Sequence, residues 1–470
     1  MPHPCLADTP AHRLWTALRA GEVQPLALWH EAASRHARLG AKMNAYKLWL
    51  GEPGEAQARA AQAAFAVGAE LGPLQGLPVS IKDVFGVRGT PTYAGTPRRL
   101  PAHYEEEGPI VATLRGQLAV FAGKAHTVPF AFGGIGANAH WGAPWNPWDA
   151  VHHRGTGGSS SGAGGSLWEG SAVVSLGSDA GGSIRMPASL AGVVGLKTSI
   201  GRWPGGGAPP LSPSLDCPGV LALSVADVAL GFAAIDPAGH AWPAFWRSLD
   251  ARPLSGLRIG VADRYFFDDC GPGIAAAIEA TLKELEARGA VLVPVPMPEV
   301  AEAVAYMANG SVGVPEGFAL VSTEFRDWVP DLDPNVWARL KTFGDISAAD
   351  YLARQRARPA MSARAHARLA DVDVLALPTT AVTAPRLDAV EDREAFRLTT
   401  LRIGRNVSPF NVWDMCALSM PVALDPDRLP IGLQLVTARR SEEALLAAAL
   451  AIEKVLGDVR QRLGRPPACP

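Results

Sequence analysis

Short apolar runs that alternate with helical stretches constrain the fold of this chain more than any other feature of its sequence. Residues 257–261 (LRIGV) and 291–295 (VLVPV) predict buried strands, and the amphipathic stretch 273–289 between them predicts a helix. The same alternation recurs over residues 348–378 and again over residues 431–456. Strands that alternate with helices in this way predict an α/β fold with a largely parallel sheet.

The sequence shows no boundary between domains. Its 470 residues, 48% of them hydrophobic, supply ample apolar material for one large core. We find no internal repeat and no segment with the composition of a linker. We therefore expect a single domain over residues 1–470, with a helical N-terminal part over about 1–70 and a core over about 71–235.

Composition argues against several classes of protein. The formal net charge is −2, so no basic surplus is available to neutralise the phosphates of a nucleic acid. No run of about 18 apolar residues predicts a membrane span, and the N-terminus lacks the pattern of a secretory signal. The cysteines are odd in number and lack the spacing of a disulfide framework or a zinc site, which favours a reducing cytoplasm; they are Cys5, Cys217, Cys270, Cys416 and Cys469.

Two segments rich in glycine and serine carry the candidate chemistry. They are GGSSSG at residues 157–162 and GSDAGGSIRMPA at residues 177–188. The successive amides of Gly181 and Gly182 can point at one place and stabilise an oxyanion. A serine hydroxyl is a weak nucleophile and needs a base, and a lysine whose pKa is lowered by burial can serve as one.

These segments resemble the signature of the amidase signature family, GGSS[GS]G followed by G[ST]DxGGSIRxPA. Ser159 and Ser183 are 24 residues apart, as the corresponding serines are in that family. Upstream, GLPVSIKD at residues 76–83 resembles the block that carries the family's catalytic lysine. Further likeness is found in NPW at 146–148, GVVGLK at 192–197 and LPIGLQ at 429–434.

The resemblance implies a catalytic triad and an acyl-transfer reaction. Ser183 corresponds to the nucleophile, and Ser159, which follows a cis peptide bond in the family, corresponds to the proton relay. Lys82 corresponds to the base and enters the reaction uncharged. The expected activity is hydrolysis of a carboxamide C–N bond, through an acyl-enzyme on Ser183, to a carboxylate and ammonia or an amine.

The resemblance also implies the surroundings of the triad. The fold expected for the family is a mixed, mostly parallel sheet covered by helices on both faces. The oxyanion hole corresponds to the backbone amides of Ala180, Gly181, Gly182 and Ser183, and supporting roles fall to Ser160, Asp179 and Arg185. No metal and no organic cofactor is expected.

The substrate pocket is expected to be apolar and aromatic, because tryptophans are dense around the serine-rich segment. Residues of about 300–370 correspond to a helical region that varies within the family and covers its active site. The predicted wall residues are Phe132, Gly133, Trp145, Trp203, Tyr306 and Trp328. Such a pocket would favour an aryl or hydrophobic amide over a charged one.

Three other functions stay open at this point. The A subunit of the tRNA-dependent amidotransferase, which releases ammonia from glutamine, has a similar triad but usually carries Gln where this chain has Met186. A non-catalytic binding protein and a membrane-bound relative of the fatty acid amide hydrolase type are the others. The sequence GSSSG at 158–162 also fits the nucleophile elbow of α/β-hydrolases, but no hydrophobic strand precedes it.

The expected partner is a small-molecule amide, and a homodimer stays an open alternative to a monomer.

Overall fold

Eleven strands form one sheet in the computed structural model, which describes residues 6–470 and so leaves Cys5 outside. The strands are β1 (Tyr46–Trp49), β2 (Pro78–Lys82), β3 (Val120–Ala125), β4 (Val174–Asp179), β5 (Val194–Lys197), β6 (Cys217–Ala222), β7 (Arg258–Ala262), β8 (Val291–Val295), β9 (Val374–Pro378), β10 (Cys416–Leu424) and β11 (Pro430–Thr437). Their order across the sheet is β1-β3-β2-β4-β6-β5-β10-β11-β9-β7-β8. Strands β7, β8 and β11 lie within one residue of the apolar runs that predict them.

The sheet is mixed, as expected, but antiparallel pairs outnumber parallel ones, which corrects the expectation of a mostly parallel sheet. Parallel pairing is confined to two groups, β3-β2-β4 and β9-β7-β8. Between these groups β6, β5, β10 and β11 are antiparallel to every neighbour. Strands β10 and β11 are joined by only residues 425–429, and a connection this short permits only antiparallel pairing.

Seventeen α-helices surround the sheet in the described part of the chain. They are α1 (Ala11–Arg19), α2 (Pro25–Met43), α3 (Gly51–Ala66), α4 (Pro109–Gly116), α5 (Ala163–Glu169), α6 (Arg185–Ala191), α7 (Val225–Ile235), α8 (Trp242–Asp250), α9 (Ile274–Ala287), α10 (Val300–Ala308), α11 (Gly313–Glu324), α12 (Pro334–Gly344), α13 (Ala348–Ala367), α14 (Arg393–Gly404), α15 (Ser408–Val412), α16 (Glu442–Leu456) and α17 (Val459–Leu463). Every residue of β11 is buried. Because successive side chains of a strand point to opposite faces, both faces of the sheet are covered there.

The N-terminal part departs from the all-helical expectation at one place. Helix α2 ends at Met43; the next residue, Asn44, has a left-handed backbone (φ 45°), and the chain then forms β1. This strand pairs antiparallel with β3 at the edge of the sheet. Tyr46 and Trp49 are residue types that fit a pleated, half-buried surface, and Trp49 stacks on Trp29 with ring centroids 5.2 Å apart. Among the described helices, none combines the length and the apolar character that crossing a lipid bilayer requires.

Candidate active site

Strands β2 and β4 place a lysine beside a serine-rich turn. They pair in parallel with Ile81 opposite Leu176, so Lys82 at the end of β2 lies next to the end of β4. The Lys82 Nζ atom is 2.6 Å from Ser159 Oγ and 2.9 Å from Ser178 Oγ. The peptide bond before Ser159 is cis. Two strand ends and one loop thus bring an amine and two hydroxyls into hydrogen-bonding contact.

The pKa of Lys82 suits an amine that accepts a proton. The side chain is buried, and loss of hydration lowers its pKa to about 7, although the carboxylates of Asp216 and Asp179 oppose the shift. Near neutral pH a large fraction of Lys82 is therefore uncharged. Its short contact with Ser159 would let the uncharged amine take the hydroxyl proton.

Asp179 shapes the turn that follows β4. One carboxylate oxygen accepts the Gly182 N–H at 2.6 Å, and the other accepts the Ile184 N–H at 3.1 Å. Gly182 has a φ of +117°, and a Cβ there would lie 2.3 Å from the Val407 side chain. The sequence Asp-Ala-Gly-Gly-Ser therefore folds into a tight turn that only glycine permits at this position.

Arg185 completes a buried network under the turn. Its guanidinium donates to both oxygens of Asp179 at 3.1 Å, to Asn411 Oδ1 at 2.6 Å and to Gln434 Oε1 at 2.7 Å. The Asn411 amide in turn donates to Asp179 at 2.9 Å. Burial opposes ionisation of Asp179, but the Arg185 charge and these hydrogen bonds hold its pKa well below the usual range. An ionised Asp179 carboxylate, hydrogen-bonded to Arg185, Asn411 and two backbone amides, therefore supports the turn.

Ser183 lies just before α6 and faces a cavity together with Ser159, Ala180 and Gly181. The Ser183 carbonyl accepts the Ser160 N–H at 3.2 Å, which ties the two serine segments to each other. Within the described residues, the amides of Ala180, Gly181 and Ser183 donate no hydrogen bond. These three N–H groups are thus available to an oxyanion. The amide of Gly182 is not, because Asp179 already accepts its proton.

The cavity has a volume of about 740 Å³, enough for a small organic molecule. Of the predicted wall residues, Phe132 and Gly133 line it. From the helical region over about residues 300–370, Met307, Val314 and Phe343 contribute further apolar wall.

The other four residues predicted for the wall lie elsewhere. Trp203 is buried in the core, where its indole N–H donates to Asp236 at 3.1 Å. Trp145 donates to the Asp149 carbonyl at 2.6 Å and stacks on a histidine ring. The Tyr306 hydroxyl donates to a backbone carbonyl of α13, and Trp328 packs against other aromatic rings. Each indole or phenol has a local partner that holds it away from the cavity, so the expected tryptophan wall is absent from the described chain.

Sequence reasoning missed three polar residues of the site. Ser178 lies within the second motif, yet its contact with Lys82 depends on strand pairing that the motif does not reveal. Asp216 immediately precedes β6 and lines the cavity, and burial raises its pKa to about 7. Arg339 lines the cavity from α12. A lone Arg in an amphipathic helix is usually solvated, so its sequence gave no signal.

A separate group of side chains has the spacing of a metal site but already contains a cation. Asp236, His240 and Glu443 can bring one ligand atom each to within 4.8 Å of the others. The Arg202 guanidinium donates to Asp236 and to Glu443, at 2.6 Å in each case. None of the four lines the cavity. This cluster is accounted for as an ion-pair network.

Comparison with known proteins gives one consistent result. Residues 28–446 match the family model described as Amidase. The 2-amino-5-chloromuconic acid deaminase of Comamonas testosteroni is 43% identical over 449 residues, which cover 96% of each chain. The fatty acid amide hydrolase of Medicago truncatula is 32% identical, and the aligned region covers 86% of this chain and 69% of that relative.

Solved structures agree with this result. A crystal structure described as amidase superposes with a TM-score of 0.84 at 30% identity, covering 96% of this chain and 100% of the other. The native peptide amidase from Stenotrophomonas maltophilia superposes with a TM-score of 0.82 at 26% identity and covers 99% of each chain.

Proposed function

The chain belongs to the amidase family of hydrolases, which act on carbon–nitrogen bonds, and we propose that Ser183, Ser159 and Lys82 carry out its reaction. The observation that carries this proposal is the 2.6 Å contact between the buried Lys82 amine and Ser159. A lysine there with a pKa of about 7 is available as a base at neutral pH. A non-catalytic binding protein would have no need for such an amine.

The proposed reaction is acyl transfer in two halves. Lys82 takes the proton of Ser159 while Ser159 takes that of Ser183, and Ser183 Oγ attacks the amide carbon. The free amides at Ala180, Gly181 and Ser183 stabilise the oxyanion. The relay then returns the proton to the departing nitrogen, the C–N bond breaks, and an ester on Ser183 remains. Water repeats the sequence and releases the carboxylate.

A second candidate reaction is removal of an amino group from an unsaturated diacid. The relative that is 43% identical over 96% of this chain is named for that kind of reaction, on 2-amino-5-chloromuconic acid. The arginines in the cavity wall favour an acidic substrate of this kind. Glutamine is the weaker proposal, because the apolar side chain of Met186 lines the cavity where the amidotransferase subunits usually carry Gln.

The proposed partner is a small molecule, and the proposed compartment is the cytoplasm. All four cysteines in the described part of the chain are free thiols, which suits a reducing environment. A homodimer stays a prediction.

The nucleophile is tested by covalent labelling. A fluorophosphonate should modify Ser183, which peptide mapping identifies, and Ser183→Ala should abolish both the label and the release of ammonia or amine. The matched control is Ser160→Ala, since Ser160 is the central serine of the GSSSG sequence. A label on Ser160, or full activity in Ser183→Ala, would refute the proposed nucleophile.

A further inference from the structure

The wall of the active-site cavity carries far more positive than negative charge. Its carboxylate and guanidinium side chains are one carboxylate, Asp216, and five guanidinium groups, on Arg339, Arg393, Arg397, Arg402 and Arg405. Two of the arginines come from the first turns of α14, two from its C-terminal end and one from α12. A cavity with this excess attracts anions and disfavours cations.

Most of these arginines have partners within the protein. Arg397 forms an ion pair with Glu394 at 2.6 Å. Arg402 donates to the Asp269 carbonyl at 3.1 Å, and Arg405 donates to the carbonyls of Asp268 and Tyr265. Carbonyl partners orient a guanidinium but leave its charge without a counter-ion. Of the five arginines in the cavity wall, only Arg397 is therefore neutralised by a carboxylate within the described chain.

Arg339 differs from the others, because its guanidinium has no hydrogen-bond or ion-pair partner among residues 6–470. Its side chain lines the cavity and is exposed to solvent there. A guanidinium that faces a cavity and has no acceptor in the protein is free to donate to a bound anion. Arg393 is also exposed and has no described partner, but it is carried by α14, which buries only Ile403.

The helix that carries Arg339 is fixed in place. At its start, Asp333 accepts the N–H groups of Asn335 and Val336. At its end, a Cβ on Gly344 would lie 2.3 Å from the side chain of Phe318 in α11, so the two helices approach closely. Arg339 is therefore presented to the cavity by a packed helix, as a selective contact requires.

We infer that the substrate carries a carboxylate, that Arg339 binds this group, and that the scissile C–N bond lies at Ser183 in the same cavity. The inference rests on the proposed function of Ser183. A guanidinium can bind a carboxylate through two parallel hydrogen bonds, which gives both affinity and orientation. The apolar wall at Phe132, Met307 and Phe343 accommodates the carbon chain that joins the carboxylate to the reacting group.

Matched substrates test this inference. The monoamides of four- to six-carbon dicarboxylic acids are compared with neutral alkyl amides of the same length, in the wild type and in Arg339→Met, Arg339→Lys and Arg356→Met. Arg356 is an exposed arginine of α13 outside the cavity, so its loss controls for a change in charge alone. The readout is kcat and KM for ammonia release.

The wild type should prefer the acid monoamides by about 100-fold in kcat/KM. An ionic contact made by only one of two ligands usually changes their relative affinity by about this factor. Arg339→Met should remove this preference, mainly by raising KM, and should leave the neutral amides within about threefold. Arg339→Lys should restore part of it, and Arg356→Met should match the wild type. Equal use of acid and neutral amides by the wild type, or an unchanged preference in Arg339→Met, would overturn the inference.

A second measurement separates this inference from the proposed function. Dicarboxylates such as adipate should slow fluorophosphonate labelling of Ser183 in the wild type. The concentration that gives the same protection should be about 100-fold higher for Arg339→Met. Normal labelling without any protection would refute the carboxylate site alone. Failure of Ser183 to label, with or without adipate, would refute the proposed function instead.

Discussion

Lys82 and Asp216 are opposite charges whose titration sets the pH range of the proposed reaction. Burial lowers the pKa of Lys82 to about 7 and raises that of Asp216 to about 7. Each also acts on the other, since the Asp216 carboxylate favours the Lys82 ammonium and the ammonium favours the carboxylate. Only the uncharged amine can begin the reaction, so activity should follow the loss of the Lys82 proton.

The size of the effect follows from the pKa. With a value of about 7, about a tenth of Lys82 is uncharged at pH 6 and about nine tenths at pH 8. We therefore expect kcat/KM to rise about tenfold per pH unit below pH 7 and to level off above it. A lysine with its ordinary pKa of 10.5 would keep rising through pH 9. The position of the plateau thus measures how far burial has moved the amine.

Replacing Asp216 by Asn tests the coupling. The change removes the negative charge that raises the pKa of Lys82, while the Asn amide oxygen can still accept the Ser212 N–H. The acid limb of the profile should therefore move to lower pH, by up to about one unit, since the two groups titrate as a pair. Lys82→Arg should abolish turnover, because a guanidinium does not lose its proton in this range.

The assay is kcat/KM for ammonia release between pH 5 and pH 10 in a buffer of constant ionic strength. Asp388→Asn, which removes an exposed carboxylate outside the cavity, should leave the profile unchanged. An acid limb that moves to higher pH in Asp216→Asn, or a Lys82→Arg enzyme with appreciable activity, would refute the electrostatic reasoning.

Two further predictions concern the turn that carries Ser183. Asp179→Asn leaves the buried Arg185 charge without its counter-ion and should lower the free energy of unfolding by about 3–5 kcal/mol, as measured by denaturant unfolding; a loss below about 1 kcal/mol would contradict the role assigned to the pair. Gly182→Ala places a Cβ against Val407 at a positive φ and should reduce kcat by at least about 100-fold while fluorophosphonate labelling slows in parallel; near wild-type turnover would show that the turn tolerates a side chain.

The motifs could predict the tight turn before Ser183 because its geometry is local. Asp179, Gly182 and Arg185 lie within seven residues, and the contacts among them follow from their order in the chain. The contact between Lys82 and Ser178 is different, because it requires β2 and β4 to pair in parallel at one register. Nothing in either segment specifies that register, so in the sequence only the family resemblance links the lysine to the serines.

The pocket was predicted poorly because a tryptophan can either pack in the core or line a cavity, and composition does not distinguish these two positions. Trp203 and Trp145 are near the serine-rich segment in the sequence, but each indole N–H found an acceptor outside the cavity. The large aromatic side chains of this chain pack in the core more often than they line the active-site cavity. The centre of the sheet was also unpredicted, since β10 carries Ser419 and Pro421 inside an otherwise apolar run.

The residues proposed for catalysis and those proposed to bind the substrate carboxylate belong to different elements of the fold. Lys82 and the Asp179 turn are attached to strand ends, where buried partners hold the Lys82 amine and the Asp179 carboxylate. Arg339 and the arginines of α14 extend from helices, and α14 buries only one of its residues, Ile403. Under the proposed function, substitutions on these helices would therefore change which anion enters without disturbing the proposed proton relay. For the same reason the pH limb set by Lys82 should stay in place in every Arg339 variant, whereas KM for acid substrates should not.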